Sequence, residues 1–486
     1  MKRLFKTYPN SLLPPLLLST YICITPNSDL FFYDGKRIAE ISLILLAVIC
    51  LSASRQAQTK FIESLSIMNN TARYLLAIIL GLGFLSAILA PSIQHALIEV
   101  MTLFALLIIA LSSAPAWRTY HKQLPWLGLV LLLSFTVQEV KFLSYYAAFL
   151  FSGNAFDFYD FFFTFSHPRF FNQYQIWTLP LPTLLLLLTP PSLKLNRYRP
   201  FLWSIAIIWW CMLFTTNGRG ALVAVAGSYI ITYVIFRYNA KDFLKTTLIL
   251  ILSGFILFQV LFHLIPYLLR SDNLLQLPST IPLLEIRSSS SGRLTELWPT
   301  ALKMIQQNPW FGIGPMHYQA WNGGETLAHP HNSLLQIGAE WGLPALCCFT
   351  ILTFMGCYAW VKRFNAYTLK NEQKNYNLAV ISLSFSLISA FILSLFSGII
   401  VMPMSHLMGI LVLSLALSMY QKQAAPIKIE FKQAHHWAMT LIFSLLAISY
   451  FSLLIPEIIP RLINKPELLL TNSPSISGPR FWLNNN

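Results

Sequence analysis

Leu244 to Pro266 reads LKTTLILILSGFILFQVLFHLIP. One lysine near its start is its only formal charge, and at 1.5 Å per helical residue the run is long enough to cross the roughly 30 Å hydrocarbon core of a bilayer. Working outward, apolar runs of this kind recur near 11–25, 38–53, 75–90, 95–113, 126–140, 174–190, 200–215 and 220–236. They continue near 341–361, 378–401, 405–421 and 436–456. Across the 486 residues, 56% are apolar and 10% are charged. Soluble domains carry about a quarter charged residues, so the composition excludes an ordinary globular enzyme. The fold class read from the sequence is an all-α polytopic membrane protein with about 12–13 transmembrane helices.

The net charge of +15 raises nucleic acid as a partner, but its distribution argues otherwise. With the amino terminus in the cytoplasm and thirteen alternating crossings, the cytoplasmic connectors hold 21 of the 33 Lys and Arg. They hold only four of the 18 Asp and Glu. This is a strong positive-inside pattern, and it accounts for the basic balance without any nucleic acid. The start of the chain, with Lys2, Arg3 and Lys6 before an apolar run, lacks a small-residue cleavage site and reads as an uncleaved first helix. Residues 1–460 then form one membrane domain, and 461–486 a short external tail. Two external connectors are long, about 141–173 and about 268–340, and long connectors in compact proteins are usually functional or disordered. All six cysteines lie in apolar runs without metal-ligand spacing, which argues against a disulfide framework or a zinc site.

The second long connector carries the one extended stretch that is neither apolar nor a short linker. From Ser288 to Pro344 it reads SSSSGRLTELWPTALKMIQQNPWFGIGPMHYQAWNGGETLAHPHNSLLQIGAEWGLP. Leu294, Leu297, Trp298, Ala301, Leu302 and Ile305 recur at three and four, which predicts an amphipathic helix. Asn308-Pro309 stops it, and Gly312 and Gly314 make the next turn. Asn332 is placed to cap a further helix through Leu334, Leu335 and Ile337.

Three arginines fall on the same expected side as this stretch. Arg219 lies between glycines at a junction of two apolar runs, where it either snorkels to water or pairs with an anion. Arg293 opens the amphipathic helix, whose free N–H groups favour an anion; alone it also reads as a solvated surface charge. Arg169 precedes the sixth apolar run and fits an interface anchor equally well. Taken together they suggest a phosphate or diphosphate ligand, because guanidinium forks bind phosphate oxygens in pairs and keep their charge. No Asp-rich pair stands in an outer loop to hold magnesium, so arginine would neutralise the leaving group.

His329 and His331 flank Pro330 in a rigid turn. A neutral imidazole there can take a proton from a hydroxyl, and without a visible third ligand this reading is preferred to metal binding. His121, His263, His435 and His436 read as structural. His95 and His406, at outer helix ends, are candidates for a supporting role.

The ordered set Ser291-Gly292-Arg293, Asn308-Pro309-Trp310-Phe311-Gly312-Ile313-Gly314, His329-Pro330-His331-Asn332-Ser333-Leu334-Leu335-Gln336 and Glu340-Trp341-Gly342-Leu343-Pro344 resembles the bacterial O-antigen ligase family. That family includes O-antigen ligases, some O-antigen polymerases and the pilin and protein O-oligosaccharyltransferases. The resemblance implies a metal-independent transferase without cofactor, in the bacterial inner membrane, with its site facing the periplasm. It implies an undecaprenyl-diphosphate-linked glycan as donor. It further implies that Arg219 and Arg293, with Arg169, hold the diphosphate and that His331 activates the acceptor, supported by His329 and Asn332. Thirteen crossings and the run Arg169-Phe170-Phe171-Asn172-Gln173-Tyr174-Gln175-Ile176-Trp177-Thr178-Leu179-Pro180 look more like the protein-glycosylating branch, whose acceptor is a hydroxyl of a periplasmic protein such as pilin. Against that branch, many of its members carry a sizeable external domain after the last helix, where this chain has only the short tail. The alternatives are transfer to lipid A-core or polymerisation of O-antigen. A membrane transporter is a more remote alternative, and the sequence shows none of the paired halves that many transporters have.

Overall fold

The computed structural model describes residues 32–119, 124–152, 161–165, 167–188, 198–269, 292–321, 328–370, 372–422 and 432–463. The protein is an all-α polytopic membrane protein, and no strand occurs among the described residues. The helices are α1 Phe32–Ala53, α2 Arg55–Ile67, α3 Asn70–Ile88, α4 Ile93–Thr119 and α5 Leu124–Ser152. Next come α6 Pro168–Gln175, α7 Pro180–Leu187, α8 Arg199–Thr215, α9 Arg219–Phe236 and α10 Lys241–Gln259, the last continuing through a π-type turn to Leu268. Then follow α11 Trp298–Gln307, α12 Ser333–Trp341, α13 Leu343–Arg363, α14 Lys374–Ser394, α15 Pro403–Lys422 and α16 Gln433–Ile463.

Among the described residues, eight helices are long and apolar enough to cross a membrane, or nine if the bent pair α1 and α2 is one span. One of the eight is the 50-residue stretch Arg219–Leu268. At 1.5 Å per residue it would be more than twice as long as the hydrocarbon core is thick. Arg237, with φ 46°, breaks it into α9 and α10. The break is held by the α13–α14 connector, where Asn239 Nδ2 donates to the Ala366 carbonyl at 2.8 Å. The 17-residue α8 is apolar but shorter.

Several expectations need correction. The run near 126–140 continues as helix to Ser152, so the first long connector begins later than residue 141. The run near 174–190 is not one crossing helix. It is α6 and α7, eight residues each, joined by a turn over 176–179, because Pro180 and Pro182 cannot supply the backbone donors a continuous helix would need. The connector before α3 is itself helical. Ser54 caps α2 by accepting from the Ala57 backbone, and α2 turns 99° away from α1. Arg118 of α4 then pairs with Glu63 of α2, fixing the bend against a third helix. The expected run near 11–25, Ser288 to Ser291 and the tail beyond Ile463 lie outside the described residues.

Burial separates core helices from lipid-facing ones. The spanning part of α4 is 78% buried and that of α13 only 6%. A helix that is apolar all round and buried is a core helix. Apolar side chains on the outside, such as Phe354, Val234 and Ile256, are exposed in a way that suits lipid rather than water.

Two segments expected as separate motifs are one unit. The turn after α11 lies on the α12–α13 corner: Ile313 N donates to the Ala339 carbonyl at 2.9 Å, Gly314 N to Glu340 at 3.0 Å, and Leu343 N to Pro309 at 2.8 Å. The approach is close enough to require glycine. A Cβ on Gly312, already at φ 68°, would lie 2.4 Å from the Glu340 carbonyl carbon, and one on Gly342, at φ 87°, 2.3 Å from the Trp310 oxygen. The buried Glu340 carboxylate accepts from Tyr318 N at 3.1 Å, and the Tyr318 hydroxyl donates to the Leu297 carbonyl at 2.8 Å. This ties α12 to the start of α11. The buried face of α11 is Leu297, Ala301 and Met304, whereas Leu294 and Leu302 point outward. The amphipathic expectation holds for the helix, but its apolar face is rotated and includes Met304.

Candidate active site

The arginines separated by over a hundred residues of sequence line one cleft. Arg169 of α6, Arg219 at the first position of α9 and Arg293 before α11 face it together with Asn172, Asn217, Gly218 and Ser397. The cleft opens to the surroundings, and its empty space of about 510 Å³ includes open solvent. Gly218 adopts a non-helical conformation that starts α9 and places Arg219 at its N-terminal end. Asn217 before it takes a left-handed φ of 52°, so the chain reverses sharply between α8 and α9.

Concentrating like charge here has an electrostatic consequence. Burial, then Arg169 and then Arg219, lower the pKa of Arg293 to about 10. It remains protonated at neutral pH. An anion among these side chains would relieve their mutual repulsion.

The histidine turn lies within electrostatic reach of Arg293 and Arg169. His331 carries a left-handed φ of 56°, uncommon for a residue with a side chain, and the surrounding bonds hold it there. Its backbone N donates to Nδ1 of His329 at 3.1 Å. Trp298 Nε1 of α11 donates to the intervening Pro330 carbonyl at 3.2 Å. Asn332 caps α12, its Oδ1 accepting from Leu334 N at 3.0 Å and Leu335 N at 3.1 Å. The His331 Nδ1 atom is buried and has no hydrogen-bond partner. Burial, then Arg293, Arg169 and His167, hold the His331 pKa down at about 3. His331 is therefore neutral at physiological pH, with a nitrogen free to accept a proton.

His167 is a site neighbour that sequence reasoning missed. Its Nδ1 accepts from Arg169 N at 3.0 Å and so caps the short α6, and burial followed by Arg169 lowers its pKa to about 4. The available signal was its place two residues before Arg169. Asn172, Asn217 and Ser397 were missed as well, and only the last lies far from a residue that had been singled out.

His95 and His406 are not brought to the cleft. His95 pairs with Glu457 at 2.8 Å and His406 with Glu40 at 2.8 Å, each joining two helices. Among the described residues, no three His, Cys, Asp or Glu side chains converge as metal ligands would.

Residues 204–350 match the family model described as O-antigen ligase. The match supports membership of the O-antigen ligase family. It runs from α8 into α13, so Arg219, Arg293, His329 and His331 lie within the O-antigen ligase match and Arg169 lies outside it. No curated protein matches the chain. The apolar helices make this a multi-pass membrane protein, and the match supports a glycosyltransferase-like function, for which the family implies a lipid-linked glycan donor and an acceptor.

Proposed function

We propose that the protein transfers a glycan from an undecaprenyl-diphosphate carrier to a Ser or Thr hydroxyl of a periplasmic protein such as a pilin. The observation that carries this reading is the cleft lined by three arginines, two of which, Arg293 and Arg169, also act on the charge of the buried, neutral His331. The arginines bind the diphosphate and neutralise charge as it leaves. His331 takes the proton from the acceptor hydroxyl while that oxygen attacks the anomeric carbon of the glycan. The bond from that carbon to the phosphate oxygen breaks, and undecaprenyl diphosphate departs with the electron pair. His329 and Asn332 hold the turn on which His331 sits. The reaction takes place at the periplasmic face of the inner membrane, an orientation supported by the clustering of basic residues in the connectors of the opposite side.

The choice of a protein acceptor is supported by the Arg169 to Pro180 segment, which resembles the protein-glycosylating branch. Mass spectrometry of pilin and of lipopolysaccharide from a strain lacking the gene tests it. Loss of glycan from pilin with intact lipopolysaccharide is the expected result. Loss of O-antigen from lipid A-core with pilin unchanged would reassign the acceptor.

A further inference from the structure

His406, in the first turn of α15, is buried outside the cleft, and both of its ring nitrogens are engaged. Nδ1 lies 2.8 Å from Glu40 Oε1, and Nε2 lies 2.7 Å from the Ile400 carbonyl. A carbonyl can only accept, so Nε2 carries a hydrogen and donates it to Ile400. Glu40 Oε2 in turn accepts from Arg37 Nη1 at 2.7 Å. Arg37 Nη2 donates to the next carbonyl of the same connector, that of Val401. Arg37 and Glu40 of α1 are buried as His406 is.

Ionisable side chains are costly within membrane-spanning helices, and a buried ion pair is weak evidence of stabilisation. None of these three lines the cleft. What they hold is the α14–α15 connector, whose carbonyls have no helix to satisfy them. Val401 N donates back to the Gly398 carbonyl at 3.0 Å and closes a turn over 398–401. A Cβ on Gly398 would fall 2.8 Å from His329 Nδ1, the atom that accepts from His331 N. A path of direct contacts thus runs from His406 and Arg37 through this turn to the backbone of His331. We infer that His406 is a positioning residue for the transfer. With Arg37, to which Glu40 joins it, His406 fixes the 398–401 turn and so the place of the His331 ring relative to the acceptor hydroxyl. This rests on the reading of His331 as the base and gives His406 a role beyond joining α15 to α1.

The test follows glycan transfer by the purified full-length protein from the undecaprenyl-diphosphate-linked glycan to pilin, or to lipid A-core if that proves the acceptor. The kcat and the donor KM are read separately. His406→Gln extends an amide to about the place of Nε2 and keeps a donor for Ile400. His406→Asn is one carbon shorter, reaches Glu40 and leaves Ile400 without its donor. Small misplacements of a reacting group cost up to about a hundredfold, so His406→Asn should lower kcat by roughly ten- to hundredfold with the donor KM little changed. His406→Gln should stay within about threefold of the unsubstituted protein, because the turn keeps its tie. In a His331→Ala background no base remains to be misplaced, and His406→Asn should cost less than about threefold further. A loss through misfolding would persist in both backgrounds. If the two His406 variants transfer alike, or if the His406→Asn loss is undiminished in the His331→Ala background, the inference is overturned and His331 remains the base. If His331→Ala alone transfers normally, the base reading falls and this inference falls with it.

Discussion

Gly398 lies directly under the imidazole of His329, so close that a Cβ on the glycine would be 2.3 Å from the ring's Cε1 and Nε2 atoms. The α14–α15 turn therefore supports the histidine turn from below, and through the His329 Nδ1 bond it helps to fix His331. Gly398→Ala should displace His329 and lower stability by about 1–3 kcal/mol, the usual range for overpacking. Truncating His329 removes the atoms in conflict. The double variant Gly398→Ala, His329→Ala should be more stable than Gly398→Ala alone by thermal unfolding, and additive losses would show that the two residues are not coupled.

Arg219→Lys and Arg293→Lys retain the charge and lose the planar fork. Each should reduce transfer by about ten- to hundredfold, the equivalent of roughly 1.5–3 kcal/mol. Membrane abundance is matched by immunoblot before rates are compared. Full activity in both lysine variants would reject bidentate phosphate binding.

His331→Ala should lower the transfer rate by about 10²- to 10⁴-fold with undecaprenyl-diphosphate-glycan binding retained, as expected for loss of a general base. His329→Ala should be milder, because that ring acts by accepting from the His331 backbone. A dead His329→Ala beside a near-normal His331→Ala would move the base to the other histidine.

The pH profile should change on donor binding. In the free protein His331 sits at about 3, held there by burial, Arg293, Arg169 and His167, so its neutral, competent form is present at all higher pH. A diphosphate among those arginines offsets their positive charge and raises the His331 pKa toward its ordinary value near 6.5. Acidification then protonates the base in the donor complex at a pH where the free protein keeps it neutral. The acid limb of kcat should lie above that of kcat/KM for the donor, since the first reports the complex and the second the free protein. Superimposed acid limbs would show that the ligand leaves His331 unchanged.

Lys422 at the end of α15, then Lys428 and Lys432, precede the last helix, α16. Positive-inside orientation puts the connector between α15 and α16 in the cytoplasm and the far end of α16 outside. A reporter fused after Ile463 should be active only in a form that works in the periplasm. A signal from a cytoplasmic reporter would invert the assignment of this helix.

The sequence alone determined the fold class and named the three arginines that line the cleft. Apart from residues 189–190, twelve of the thirteen expected runs fall on described residues and are mostly helical there, the run near 174–190 as two short helices joined by a turn. A long apolar run has few alternatives in a bilayer, since its backbone must be satisfied within the segment. Arg169, Arg219, Arg293 and the two histidines were legible because charge and a proline-fixed turn are conspicuous in an apolar chain. Asn332 was legible as a cap because that interaction is local, between residues two and three apart.

The tertiary structure decided what depends on contacts between distant segments. The run near 174–190 reads in the sequence as one crossing, whereas the structure breaks it before Pro180, and where the chain goes after the break depends on its packing against other helices. The docking of Gly312 on the Glu340 backbone joins two motifs whose spacing in the chain does not reveal their proximity. His167 gained meaning only when folding brought it within electrostatic reach of His331. The depressed pKa of His331 has the same origin. It arises from burial, from Arg293, and from Arg169 and His167 of a distant segment, and no local pattern carries that sum.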